Sequence, residues 1–331
     1  MSDATSYPTI AATDVSTEQV ADLRQRLLAW YAANGRDLPW RHTRDPYHIL
    51  VSEIMLQQTQ VDRVLPRYAA FLERFPTIEA LAAAPTAEVI RLWSGLGYNR
   101  RAVNLQRAAR AVVEQYGSTV PRTVTELLKL PGVGPYTAGA VACFAYEQDV
   151  GFVDTNIRRV LHRLFVGPES AEQRATSRAI QQLAERLVPP GEGYNWNQAL
   201  IEFGAIQCTA RKPACGDCPL REACRAFPVM VSAPLGAPRP STGSAVPYER
   251  STRYYRGRVI TALRELRDGE SYDLARLGPR IRDDYGPEHL PWLQAIVAGL
   301  ERDGLARIAE DSPGYDADEP ATVRVHLPTE P

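Results

Sequence analysis

Apolar residues recur at spacings of three and four along most of this 331-residue chain, with turn residues between the repeats. Val20, Leu23, Leu27, Leu28 and Trp30 mark one face of an amphipathic helix over 16–34, which Asp37-Leu38-Pro39-Trp40 breaks. From Pro46 to about Phe165, helical stretches of 10–15 residues alternate with turns at Pro76, Pro85, Gly95-Leu96-Gly97, Gly117 and Gly132–Gly134. No strand alternation interrupts them, so this region reads all-α. The helical pattern continues over 170–207 beyond a break at Pro189-Pro190-Gly191. Residues 231–250 are rich in Pro, Gly and Ser and read as a linker. Beyond it, helical patterns cover Tyr255–Arg267, Leu274–Asp283 and Leu290–Asp303, and short β-like runs cover Ala306–Ile308 and Thr322–His326. Three helices followed by two strands predict a small winged-helix-like domain over 251–331.

Composition narrows the class. With 44% hydrophobic residues the chain has ample material for a core and for two or three domains. No run of 18 apolar residues exists, so no membrane helix is expected. The first twenty residues lack a basic and an apolar region; they read as a disordered polar tail, not a secretory signal. A cytoplasmic, nucleoid-associated monomer is the matching expectation. The net charge of −1 hides an asymmetry: residues 21–230 carry +5 and residues 231–331 carry −3. That balance permits nucleic-acid binding without demanding it. The basic residues are arginine except for Lys129 and Lys212, which leaves few candidates for a lysine nucleophile.

Three features carry chemistry. The turn Gly132-Val133-Gly134 lies between two helical patterns, and a turn of this kind exposes backbone N–H groups at a helix start, where they can hold a phosphate. Cys208, Cys215, Cys218 and Cys224 are spaced C-x6-C-x2-C-x5-C. Without a secretion signal, four thiols this close read as a metal site and not as a disulfide set; zinc also accepts four cysteines. The fifth, Cys143, falls in the apolar helix Thr137–Tyr146 and reads as a small buried hydrophobe. Finally, two carboxyls sit in contrasting places. Glu53 lies on the apolar side of a helix, with Ile49 and Leu50 one turn before it and Leu56 and Gln57 one turn after. Burial there raises a carboxyl pKa and suits it to act as a general acid, unless an arginine from elsewhere pairs with it. Asp154 precedes the helical run Thr155–Leu161 as an N-cap. The helix dipole and free N–H groups are expected to lower its pKa and keep it ionised. One carboxyl pushed up and one pushed down is the arrangement that glycosidic cleavage uses.

The stretches SEIMLQQTQV, LWSGLGYNRRA, LPGVGPYTAGAV and VDTNIRRVL, followed by the four cysteines, resemble in content and order the adenine-DNA glycosylases (MutY-type) of the helix-hairpin-helix, iron–sulfur endonuclease III superfamily. The resemblance covers about residues 30–228. It implies a mostly α fold with a six-helix subdomain over about 46–165 and an iron–sulfur subdomain from 21–45 plus 166–229, holding a [4Fe–4S] cluster on Cys208, Cys215, Cys218 and Cys224. It implies a monofunctional enzyme that removes adenine mispaired with 8-oxoguanine or guanine from double-stranded DNA. Glu53 would protonate the base, Asp154 would stabilise the sugar cation, and Tyr136 and Asn156 would orient that centre. Gln57, Gln58 and Tyr98 would wedge into the base stack, Gly132 and Gly134 would grip a phosphate, and Trp40 and Arg41 would line the base pocket. Lyase relatives carry a lysine where this chain has Tyr136. The C-terminal segment is too short and too helical for the Nudix-like lesion reader of many such enzymes. The competing readings are a thymine/uracil mismatch glycosylase and a non-enzymatic iron–sulfur DNA-binding regulator.

Overall fold

The computed structural model of the chain describes residues 16–169, 175–232, 247–309 and 323–330. Residues 1–15 of the expected tail and 233–246 of the expected linker lie outside them. The described chain is mostly helical, as its spacing predicts. Its helices run α1 (Thr17–Asn34), α2 (Pro46–Leu56), α3 (Val61–Arg74), α4 (Ile78–Ala83), α5 (Thr86–Leu92), α6 (Arg100–Tyr116), α7 (Val124–Leu127), α8 (Pro135–Tyr146), α9 (Thr155–Phe165), α10 (Ser177–Leu187), α11 (Gly193–Glu202) and α12 (Phe227–Ser232). After the linker come α13 (Thr252–Arg264), β1 (Tyr272–Asp273), α14 (Leu274–Ile281), α15 (Leu290–Arg302), β2 (Arg307–Ala309) and β3 (Arg324–His326).

The chain divides into two compact units. The first comprises Met1–Ile49, Arg122–Leu128 and Val133–Pro240, and the second Leu50–Pro121, Lys129–Gly132 and Ser241–Pro331. In the first, α1 packs on α11. Leu23 and Leu27, one turn apart on α1, are buried, and Trp30 meets Phe203 edge-on at 4.9 Å. Ser16 and Gln19 close a reciprocal cap at the start of α1. Helix α8 is buried on nearly every side from Thr137 to Phe144, including Cys143. Gly139 lets Phe152 press onto it; a Cβ there would stand 2.6 Å from the Phe152 Cβ.

One fully buried charge ties this unit together. Glu202 on α11 takes Arg36 Nε at 2.6 Å and Arg41 Nη2 at 2.8 Å. Burial alone would push the Glu202 carboxyl up, yet hydrogen bonds from Arg36 and Arg41 hold it below the ordinary carboxylate value.

In the second unit, Gln106 on α6 is buried and donates to the carbonyls of Leu81 and Ala84 at the end of α4. The C-terminal segment folds as three helices and a three-stranded antiparallel sheet of order β1-β3-β2. The strand β1 is absent from the sequence reading because two residues give no alternation to detect. Ala87, Ile90 and Val103 of α5 and α6 share one core with Val259, Leu263, Leu277, Leu293, Val297, Leu300 and Val325. The first turn of α5 has no side-chain cap; its N–H groups at Thr86 and Ala87 donate instead to the carbonyls of Glu330 and Pro328. Arg264 of α13 donates to Ile90 O and to Asn99 Oδ1, and burial pulls its pKa down to about 10.

Candidate active site

Asp154 caps α9: its Oδ1 accepts the N–H of Ile157 at 2.6 Å. Asn156 adds main-chain and side-chain hydrogen bonds to the same carboxylate. Asn156 is itself fixed. Its Oδ1 accepts from Arg159 Nη2 at 2.8 Å, and Gly204 closes on it so tightly that a Cβ would stand 2.6 Å from the Asn156 Cβ. Arg159 also donates to Gly204 O at 2.6 Å and to Cys208 O at 2.8 Å. A chain of polar contacts thus runs from the first cysteine to the aspartate.

The pKa of Asp154 departs from the sequence expectation. Burial pushes it above the ordinary aspartate value, and the hydrogen bonds from Ile157 and Asn156 and the charge of Arg159 oppose this without reversing it. The cap lowers the pKa, as an N-cap should, but sequence could not show how far the carboxyl is withdrawn from water.

Glu53 lies in the second unit, 5% exposed on α2 among Leu50, Val51, Ile54 and Met55, all 2% exposed or less. A carboxyl so placed is held out of water, where its charged form is costly. The next residues leave the helix abruptly: Gln58 has φ 55° and Tyr98, on the Gly95–Gly97 loop, has φ 44°. Two non-glycine residues in the left-handed region cost energy that the surroundings must supply. Arg101 supplies much of it. Its Nη1 donates to the carbonyls of Ile54, Met55 and Gln57 at 2.6–3.0 Å, and its Nη2 donates to Thr59 Oγ1, Leu96 O and Gly97 O. It satisfies carbonyls at the end of α2 and joins them to the loop that carries Tyr98. Sequence reasoning did not single out this role, because nothing in Arg100-Arg101 distinguishes the exposed arginine from the inserted one.

Helices α7 and α8 form the expected hairpin. Gly132 has φ +77° and backs onto Asn104, whose Cβ would lie 2.7 Å from an added Cβ, so glycine is required there twice over. Gly134 begins α8 with no side-chain cap and Pro135 follows at the first helical position. Tyr136 packs edge-on against Phe152 at 5.4 Å. Trp40 is buried, and Arg41 is 9% exposed with each guanidinium nitrogen engaged, on Gln198 Oε1, Arg36 O and Glu202 Oε2.

Cys208, Cys215, Cys218 and Cys224 line one small cavity of about 30 Å³, walled by apolar side chains including Val160, Leu164 and Phe203. Arg163 donates to Cys208 Sγ at 3.3 Å and to the carbonyls of Thr209 and Ala210. Burial raises the thiols of Cys215, Cys218 and Cys224, that of Cys218 to about 11. Such thiols remain protonated at neutral pH unless a positive centre stabilises the thiolates. Four cysteines on one apolar cavity are a donor set that an iron–sulfur cluster accepts.

Among the described residues no helix is long and apolar enough to cross a membrane. Residues 51–190 match the HhH-GPD superfamily of base excision DNA repair proteins, and residues 208–224, the span of the four cysteines, match the iron–sulfur binding domain of endonuclease III. The chain is 45% identical over 241 residues to an adenine DNA glycosylase of Mycolicibacterium smegmatis, covering 72% of this chain and 79% of that protein. It is 44% identical over 216 residues to the adenine DNA glycosylase of Rattus norvegicus, where the match spans only 42% of the rat protein. Among solved structures it resembles a thermostable thymine-DNA glycosylase (TM-score 0.60, 35% identity, 64% of this chain and 98% of that one). It also resembles a trapped endonuclease III–DNA covalent intermediate (TM-score 0.58, 25% identity, 66% and 99%).

Proposed function

This chain belongs to the adenine DNA glycosylases of the HhH-GPD superfamily, and on that premise we propose that it hydrolyses the N-glycosidic bond of adenine mispaired with 8-oxoguanine or guanine and leaves an abasic site. It is a base-excision DNA glycosylase that binds DNA and carries a [4Fe–4S] cluster. We assign the cluster to Cys208, Cys215, Cys218 and Cys224; bound there, it would crosslink the loop after α11.

The observation that carries the reading is the immobilised carboxylate of Asp154, fixed by Ile157, Asn156 and Arg159. Glu53 gives its proton to N7 of the target adenine, so the electron pair of the breaking bond leaves on a neutral base. Positive charge then builds on the sugar, and the Asp154 carboxylate stabilises or captures it until water adds at the sugar carbon. Water gives up a proton in that addition, and the Asp154 carboxylate takes it. The raised basicity of Asp154 suits it to both tasks. Asn156 and Tyr136 keep the carboxylate oriented. Gln57, Gln58 and Tyr98 enter the stack as the adenine leaves it, and the Gly132–Gly134 turn holds a phosphate at the start of α8. Trp40 shapes the base pocket, and Arg41 supports that segment through Glu202. Tyr136 offers no amine for a Schiff base, so strand cleavage does not accompany base loss.

Labelled duplexes carrying A·8-oxoguanine, A·G, T·G or U·G test this, each with and without alkali. Cutting at adenine after alkali only is the expected result. Cutting at T·G or U·G with both adenine mispairs intact would overturn the substrate assignment. Cutting without alkali would overturn the monofunctional one.

A further inference from the structure

Gln57, Gln58 and Tyr98 form one side of a groove of about 570 Å³ within the second unit, whose opposite wall, on α13, no step above uses. That volume is within the range of about 300–1,000 Å³ typical of ligand sites. Its lining is unlike a structural crevice. Arg100, Arg101, Arg253 and Arg256 contribute to it, with the amides of Gln57 and Gln58, and no acidic residue does. Arg100 and Arg256 both reach Asp303 at its margin. Arg253 has no acidic partner among the described residues. Its guanidinium carbon stands 4.1 Å from the centre of the Tyr98 ring, the strained residue assigned above to the wedge. The wall on the α13 side includes Gly257, a helix-interior glycine at which an added Cβ would meet nothing within 4 Å. Glycine weakens a helix at such a position, and here it leaves the groove open. The segment 231–331 is acidic overall, at −3, so this cationic surface is a local feature of α13 and not a general property of the segment.

We propose that α13 is part of the DNA-binding surface: the groove between α13 and the Tyr98 loop holds the sugar–phosphate backbone of the duplex, and Arg253 is a positioning residue that supports Tyr98. The ligand follows from the lining. Arg253, a guanidinium with no acidic competitor among the described residues, selects a phosphodiester, and its stack on Tyr98 leaves an amphipathic edge for the adjoining sugar or base. Arg258, by contrast, is committed to the carbonyl of Arg280 and lies outside the groove. The inference rests on the glycosylase reading for its ligand, and its test separates the two.

The full chain, loaded with its cluster, is titrated with a duplex bearing an uncleavable 2′-fluoro analogue of the target adenosine opposite 8-oxoguanine, over a range of salt. Arg253→Ala is expected to weaken binding about 3- to 10-fold and to reduce the slope of log K against log[salt] by about one. Arg253→Lys restores the slope but not the stacking, so opening of the base stack, read by 2-aminopurine fluorescence next to the target, stays impaired. Gly257→Leu removes no charge and replaces glycine with a better helix former, so the thermal midpoint holds or rises while affinity falls. Unchanged affinity and salt slope in both Arg253→Ala and Gly257→Leu would overturn the proposal. A wild-type chain that binds duplex but excises nothing sinks the glycosylase reading and leaves the groove to be judged by the salt slope. Failure of the wild type to bind DNA at all overturns both.

Discussion

Replacing Arg101 with methionine is the sharpest test of how the end of α2 is held. The guanidinium donates to five carbonyls and a hydroxyl. Its pKa is pulled from 12.5 down to about 10 by burial, which bounds the desolvation cost at about 3 kcal/mol, less what solvent screening removes. Hydrogen bonds from a charged donor each contribute about 1.5–3 kcal/mol net, and a buried carbonyl stripped of its donor costs about 1–3 kcal/mol. Methionine keeps the length and apolar stem and removes every donor. The desolvation cost is recovered, but five carbonyls and the strained positions of Gln58 and Tyr98 lose their common anchor. Four N–H groups share these six acceptors, so the contacts do not add at full strength, and the expected loss is about 3–5 kcal/mol, as is typical of removing one partner from a buried charged network. For a unit of this size that is a fall of about 10 °C in the midpoint of the transition reporting on the second unit. Lysine keeps the charge but cannot span both groups of acceptors, so Arg101→Lys should recover less than half of the loss. The assay is thermal and urea unfolding of both variants, with single-turnover adenine removal measured well below the midpoint, where the fold is intact. Slowed removal by folded Arg101→Met protein is the expected companion result, since the segment from Glu53 to Gln58 loses its fixed end. A loss under about 1 kcal/mol with an unchanged single-turnover rate would refute the reasoning and mark these contacts as incidental.

Three further outcomes follow from the same geometry. Asp154→Asn is expected to slow single-turnover base removal by at least about 100-fold. Because burial raises the Asp154 pKa, the acid side of the wild-type rate profile should fall at a pH above the ordinary aspartate range; a fall only within that range would count against the assignment. Glu202→Gln should destabilise the first unit by about 3–5 kcal/mol, as it removes the carboxylate that the buried Arg41 pairs with. Since the Glu202 pKa is depressed, its contribution is fully present above the unfolded glutamate pKa and is lost as pH falls through the folded value. The gap between wild type and Glu202→Gln in urea unfolding should therefore narrow at acid pH, and a gap that widened would show the sign to be wrong. Cys218→Ser should reduce iron from about four atoms per chain toward none and lower the thermal midpoint of the first unit. A variant retaining the full iron complement would remove Cys218 from the ligand set.

Much of this protein is legible in its sequence, because the decisive signals are local. A helix announces itself by spacing over ten residues, and α1, α6, α8 and α9 fall where their apolar periodicity puts them. Gly132 is demanded by a left-handed turn that glycine best tolerates, and four cysteines within 17 residues imply a shared centre whatever the rest of the chain does. The cap at Asp154 is equally local. What sequence left open depends on contacts between residues far apart. Whether Asp154 is acidic or basic turns on how much water α9 and its neighbours exclude, and burial overrode the cap. That Arg101 anchors α2, that Glu202 receives both Arg36 and Arg41, and that Arg253 stands over Tyr98 are pairings across 44 to 166 positions. One arginine reads like another until packing brings its acceptors to it, and in this chain, with 36 arginines, only the tertiary structure decides which are inserted, which are paired and which are left to meet a phosphate.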